Sequence, residues 1–227
     1  MVQGARLLLI LTLLGCRAEL LGVELPRGGR ESISQEDLQR DTWLLAQIPD
    51  RSENTEQVAR ALSQRFQQMH TRPGFSRSYV SPAGDARVVC AEKDGRGDGH
   101  VLLIAEDLGS SVASGAAPAA ALISVLKGFD TPDLPPRSVM ACVLVGPDAR
   151  AHLLSQPPLP LADAELRVVG PLGAGDARIE PDMFGGLPVV RHSLGAVPSP
   201  DTMESLDYRA LQQVVVGLFD AASASQE

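Results

Sequence analysis

Three acidic residues follow directly on apolar runs. Glu106 and Asp107 come after Val101-Leu102-Leu103-Ile104-Ala105, and Asp148 comes just after the run 138–145. Carboxylates gathered at such a place can bind a cation or an amine, or pass a proton. The plainer expectation is loop acids facing water. His152 and His192 could join them in a metal set, but neither stands at metal-ligand spacing from another His or Cys. They are therefore expected to be surface or core histidines. His70 and His100, at a helix end and a turn, read as solvated. Ser110-Ser111 and Ser114-Gly115 lack the Gly-x-Ser-x-Gly elbow of a hydrolase nucleophile. Gly173-Ala174-Gly175 has no phosphate-loop context and reads as a turn. Cys90 and Cys142 sit inside apolar runs and read as small buried hydrophobes. Spacing alone leaves open whether they pair.

The elements that must position these residues alternate in type. Ser34 is a predicted N-cap, with Glu36 and Asp37 in the first turn, for a helix over 34–48 that ends at Pro49. Val58, Leu62, Phe66 and Met69 repeat at helical spacing, and Pro73-Gly74 stops that helix. Strands are predicted over 88–91, 101–105, 138–145, 166–169 and 187–190. Helices are predicted over 116–126, 149–154 and 208–222, the last with Leu211, Val214, Val215 and Leu218 inward. Such alternation predicts an α/β fold, a three-layer αβα sandwich around a mostly parallel, mixed sheet. Ligands of open α/β sheets sit at the carboxyl ends of the strands. Here those ends are Ala105-Glu106-Asp107, Gly146-Pro147-Asp148 and Val169-Gly170-Pro171.

The N-terminal end reads as an address rather than a fold element. Arg6 precedes an apolar run over residues 7–14, which is too short to span a bilayer as a mature helix. The run ends in Leu13-Leu14-Gly15-Cys16, which is similar to the lipobox of bacterial lipoproteins, where the cysteine becomes the lipidated N-terminus. The organisation expected is a signal and lipobox segment over 1–16, a tether over 17–31 and a single domain over 32–227. The chain is thus expected to be exported, as a lipoprotein of the periplasm or cell envelope or else as a secreted protein. Any membrane contact would run through lipid on Cys16. The net charge of −8 lacks the basic footprint that nucleic acid requires.

The order of segments resembles that of the secreted zinc aminopeptidases with two co-catalytic metals, a family that includes the glutaminyl cyclases. Residues 34–48 followed by Arg51-Ser52-Glu53-Asn54-Thr55 are similar to the family's opening helix and the stretch before its second helix. Val88-Val89-Cys90-Ala91-Glu92-Lys93-Asp94-Gly95 is similar to its strand and turn. Residues 101–109 resemble the strand that delivers the first metal ligand, and Ser114-Gly115-Ala116 the segment with the bridging aspartate. Residues 137–146 resemble the strand before the paired glutamates, and Asp201-Thr202 with Leu206-Asp207 the C-terminal signature. The resemblance covers roughly residues 32–223.

What the resemblance implies for the site is loss. Position by position, the family's first histidine becomes Glu106 and the aspartate two residues on becomes Leu108. The bridging aspartate falls near Ala117 or Pro118, and the base and ligand glutamates fall on Pro147 and Asp148. The later aspartate falls near Gly170 and the last histidine on Val197. Only Asp148 keeps a carboxylate in a ligand place, and apolar side chains cannot coordinate a cation. The expectation is a degenerate, non-catalytic aminopeptidase-like domain that binds or scaffolds, with no cofactor and with a peptide or protein ligand on a shallower, more apolar surface. The alternative is an active zinc aminopeptidase with a site rebuilt from Glu106, Asp107, Asp148, His152 and His192. A plain structural lipoprotein domain is a third class. If the transfer holds, Leu108, Ala117, Asp148, Gly170 and Val197 converge within about 10 Å, the span of a two-metal site.

Overall fold

The computed structural model describes residues 28–51, 53–69, 75–83, 86–107, 115–170, 184–195 and 199–224. Cys16, most of the predicted tether, His70, Leu108, Ser110, Ser111, Ser114, Gly173-Ala174-Gly175 and Val197 lie outside the described residues.

Gly28 to Glu31, assigned above to the tether, are already part of the packed structure. The Gly29 N–H donates to the Gly128 carbonyl at 2.7 Å, and Arg30 pairs with Asp220. Helix α1 (Gln35–Ala46) starts where its sequence requires: the Ser34 hydroxyl accepts from the Asp37 N–H at 3.1 Å. Helix α2 (Thr55–Met69) buries Val58, Leu62, Phe66 and Met69 on one face.

Six strands follow: β1 (Phe75–Ala83), β2 (Ala86–Lys93), β3 (His100–Asp107), β4 (Ser138–Val145), β5 (Ala164–Val169) and β6 (Val189–His192). They form one mixed sheet in the order β1-β2-β4-β3-β5-β6. The β4–β3, β3–β5 and β5–β6 pairings are parallel, while β1–β2 and β2–β4 are antiparallel. Helix α3 (Ala117–Gly128) follows β3, α4 (Ala149–Ser155) follows β4, and α5 (Tyr208–Ser223) closes the described chain.

Strand alternation divides the core. Val101, Leu103 and Ala105 of β3 face α1, α2, α3 and α5, while Leu102 and Ile104 face α4, Leu159 and Phe184. This is the αβα sandwich that the alternation of elements implies. The central strands are buried on both faces, as their unbroken apolar runs require.

Three details depart from, or add to, the sequence reading. Strand β1 has no counterpart in it: Ser76-Arg77-Ser78-Tyr79 is polar, and Pro82 is tolerated only because β1 is an edge. β6 lies two residues later than the run 187–190, because Pro188 has no N–H to give a ladder. The register also decides the cysteines. Cys90 and Cys142 face each other across β2 and β4 with Cα atoms 4.1 Å apart and are joined as a disulfide.

Among the described residues, no helix is long and apolar enough to cross a membrane.

Candidate functional site

The parallel register brings the carboxyl ends of β3, β4 and β5 to one edge. Asp107 lies opposite Val145, and Ala105 lies between Val143 and Val169. The chain leaves β4 through Gly146-Pro147-Asp148. Gly146 has φ +91°, a conformation that favours glycine. A Cβ there would come within 3.2 Å of the Ala86 Cα and the Thr55 methyl, so the turn is held close against the start of α2. Asp148 then occupies the N-cap position of α4 without a side-chain cap bond, and both it and Pro147 are exposed.

Glu106 does not face water as a loop acid would. Its residue is 5% exposed. A buried carboxylate needs a partner, and α4 supplies one: Arg150 Nε donates to Glu106 Oε1 at 2.6 Å, and Arg150 Nη2 bridges to the same oxygen. The guanidinium carbon stands 5.7 Å from the Phe184 ring centroid, within cation–π range. Around the pair lies a cavity of about 260 Å³ walled by Leu144, Gly146, Pro147 and Ala151. Glu106 and Pro147, two of the transferred site positions, thus line one cavity.

The other positions are placed as follows. Ala117 is the first residue of α3 and is buried. Gly170 is buried at the end of β5, and its N–H donates to the His192 carbonyl at 3.1 Å. Leu108 and Val197 lie outside the described residues, while Asp148, Ala117 and Gly170 stand at the start of α4, the start of α3 and just after β5. His152 lies on α4 with Nε2 2.6 Å from the Ser81 hydroxyl of β1, toward one side of the sheet. His192 ends β6, the opposite edge strand. His100 is half-buried at the start of β3 rather than solvated in a turn.

His192 is held neutral. Arg167 Nη1 donates to His192 Nε2 at 3.1 Å, which requires the Nδ1–H tautomer. Burial, joined by the Arg167 charge, pushes its pKa down to about 4, and Glu165 only partly opposes them. For Glu165 itself burial acts upward, but Arg137 and Arg167 outweigh it and hold the carboxyl below the usual range. His192 therefore belongs to a β5–β6 charge network, not to the cavity beside Glu106.

These residues do not fit a zinc centre. Ala117 and Gly170 offer no side-chain donor. Glu106 already has a guanidinium on its carboxylate, and a fixed cation there repels a second one. Among the described residues, no group of three or more His, Cys, Asp or Glu comes together that could hold a metal ion. Sequence reasoning missed Arg150. Its signal is positional: it lies in the first turn of the helix that begins at the sheet edge, where its side chain can reach back to the strand ends.

No family model matches the chain, and no curated protein does. Solved structures do match its fold. A glutaminyl cyclase from Tannerella forsythia superposes with a TM-score of 0.65 at 13% identity, covering 86% of this chain and 99% of that one. A Zn-dependent exopeptidase from Parabacteroides distasonis gives 0.60 at 12% identity, covering 85% and 99%. A leucine aminopeptidase precursor from Bacteroides thetaiotaomicron gives 0.61 at 10% identity, covering 86% and 98%. The chain has the zinc-exopeptidase fold.

Proposed function

We propose that the protein keeps the zinc-exopeptidase scaffold as an extracytoplasmic binding domain and does not hydrolyse peptides. One observation carries this reading. At the first ligand place the buried carboxylate of Glu106 is neutralised by Arg150 from within the chain, so the charge that a metal would supply comes from a guanidinium instead. Such a substitution keeps the strand end electrostatically satisfied while removing the Lewis acid and the activated water that peptide hydrolysis needs. Function resides in the site rather than the fold. The exported setting rests on the leader and on Cys16, which would carry a lipid anchor.

The test is metal content. Protein purified without added chelator is expected to hold less than about a tenth of an equivalent of zinc by elemental analysis. Its melting temperature is expected to be unchanged by EDTA, because only a metal bound to the native state can shift it. One or two zinc ions per chain with a chelator-sensitive melt, together with cleavage of an aminoacyl-nitroanilide, would overturn the proposal and favour a zinc aminopeptidase with a rebuilt site.

A further inference from the structure

The cavity beside Glu106 has a polar corner that its own residues leave incomplete. Arg150 Nε donates to Glu106 Oε1, and Arg150 Nη2 pairs with that same oxygen. The second oxygen, Oε2, accepts from no group among the described residues, although Glu106 is 5% exposed and lines the cavity. Each carboxylate oxygen can accept about two hydrogen bonds. One left without a donor in a buried residue costs free energy. Arg150 also has N–H groups to spare. Its Nη1 has no acceptor among the described residues, and its side chain is partly exposed. An acceptor and a donor thus stand side by side. Both are fixed beforehand, by their own ion pair and by the Phe184 ring near the guanidinium.

The chemistry of the occupant follows by exclusion. A second cation is repelled by the guanidinium, and an anion by the carboxylate. A wholly apolar molecule would cover Oε2 without giving it a donor. A polyol could meet the polar corner, but its other hydroxyls would face Leu144, Pro147 and Ala151, whose side chains offer no hydrogen bond. What remains is a neutral molecule with an N–H beside a C=O on one edge and carbon on the other. Size narrows it further. The cavity, about 260 Å³, falls below the roughly 300–1,000 Å³ of sites for drug-sized ligands.

The geometry points to a binding site for a small lactam or primary carboxamide. The amide N–H would donate to Glu106 Oε2, and its C=O would accept from Arg150 Nη1. The aliphatic body would lie against Leu144, Pro147 and Ala151. This inference rests on the reading that no zinc stands beside Glu106, and it adds the class of ligand that the ion pair takes instead.

The experiment is a saturation-transfer NMR titration of the full-length protein with matched small molecules. The amides are 2-piperidone and isobutyramide. N-methyl-2-piperidone and cyclohexanone keep the carbonyl and lose the N–H, isobutylamine and isobutyrate carry a charge, and erythritol is the polyol. The two amides are expected to bind with Kd on the order of 1 mM, as suits ligands of so few atoms. The two molecules without an N–H should bind at least about tenfold more weakly, because Oε2 is then covered and unpaired. The charged molecules and erythritol should show no saturable binding. Glu106→Gln leaves an N–H where the free oxygen stood and should weaken 2-piperidone at least about tenfold. Ala151→Phe fills the cavity from an exposed helix position, so it should abolish binding while leaving the melting temperature within a few degrees. Four results would overturn the inference: no amide binds, cyclohexanone binds as well as 2-piperidone, isobutylamine binds better than isobutyramide, or Ala151→Phe folds and still binds. Zinc is measured on the same samples. Zinc-free protein that binds no amide overturns this inference alone, whereas zinc-loaded protein overturns the reading beneath it.

Discussion

At the scale of single residues, the Glu106–Arg150 pair sets the character of the sheet edge. Glu106 is buried, so removing Arg150 would leave its carboxyl without the ion-pair partner that burial demands. Arg150→Ala is expected to destabilise the protein by about 1–3 kcal/mol. That is below the 3–5 kcal/mol typical of a fully buried pair, because the Arg150 side chain is 38% exposed. Replacing both partners, Glu106→Leu with Arg150→Met, should cost less than Arg150→Ala alone, since no orphaned charge remains. Chemical denaturation of the three variants checks this. Equal losses in Arg150→Ala and the double variant would show that the pair acts through packing, not charge. That Glu106, Asp107 and Asp148 follow on apolar runs was legible in the sequence, but the partner of Glu106 was not. An arginine forty-four residues away in the chain carries no mark in the sequence of which strand end it will reach.

At the scale of elements, the β2–β4 ladder is stapled by Cys90–Cys142, which closes a separation of 52 residues. A cross-link over such a loop stabilises by roughly 2–4 kcal/mol, chiefly by restricting the unfolded chain. Both cysteines are fully buried, so a reductant should reach them only through unfolding. Denatured but unreduced protein is expected to show no reactive thiol from these two positions. Cys90→Ala with Cys142→Ala should lower stability by the amount above. Two free thiols in a titration under denaturant would refute the cross-link. The helices at this scale were readable from local signals: the Ser34 cap, the four-residue spacing of Val58, Leu62 and Phe66, and the stop at Pro49. β1 was not, because an edge strand buries too little to impose an apolar alternation on its sequence.

At the scale of the whole molecule, acid should loosen the fold. His192 titrates near 4 in the folded protein against 6.5 unfolded, so between those values the unfolded chain binds more protons. Stability is full above pH 6.5 and falls as the pH drops toward 4. Glu165, held below the usual carboxylate range, acts in the same direction, with its contribution lost at still lower pH. The histidine step is worth about 1–2 kcal/mol, discounted because the ring keeps part of its contact with water. The melting temperature should thus fall by about 3–6 °C between pH 6.5 and 4.5. His192→Gln should flatten that slope. A slope unchanged by the substitution would move the effect to other groups.

By itself the sequence determined what depends on local order: the helix starts and stops, the apolar runs of the central strands, and hence an αβα sandwich with the carboxyl ends of β3, β4 and β5 on one edge. Each of these follows from period, capping and burial within a dozen residues. That Ala117 and Gly170 carry no side-chain donor was likewise fixed by residue type. Tertiary structure alone decided the pairings across long separations. It set Arg150 on Glu106, Cys90 on Cys142, Arg167 on His192 and Asp41 between Arg65 and Lys127. It alone parted α1 from α2, since α1 packs on α3 and α5 whereas α2 packs on β2 and β1. No local pattern in either helix encodes that divergence: each buries a stripe, and which neighbour receives the stripe is settled by the packing of the entire sheet.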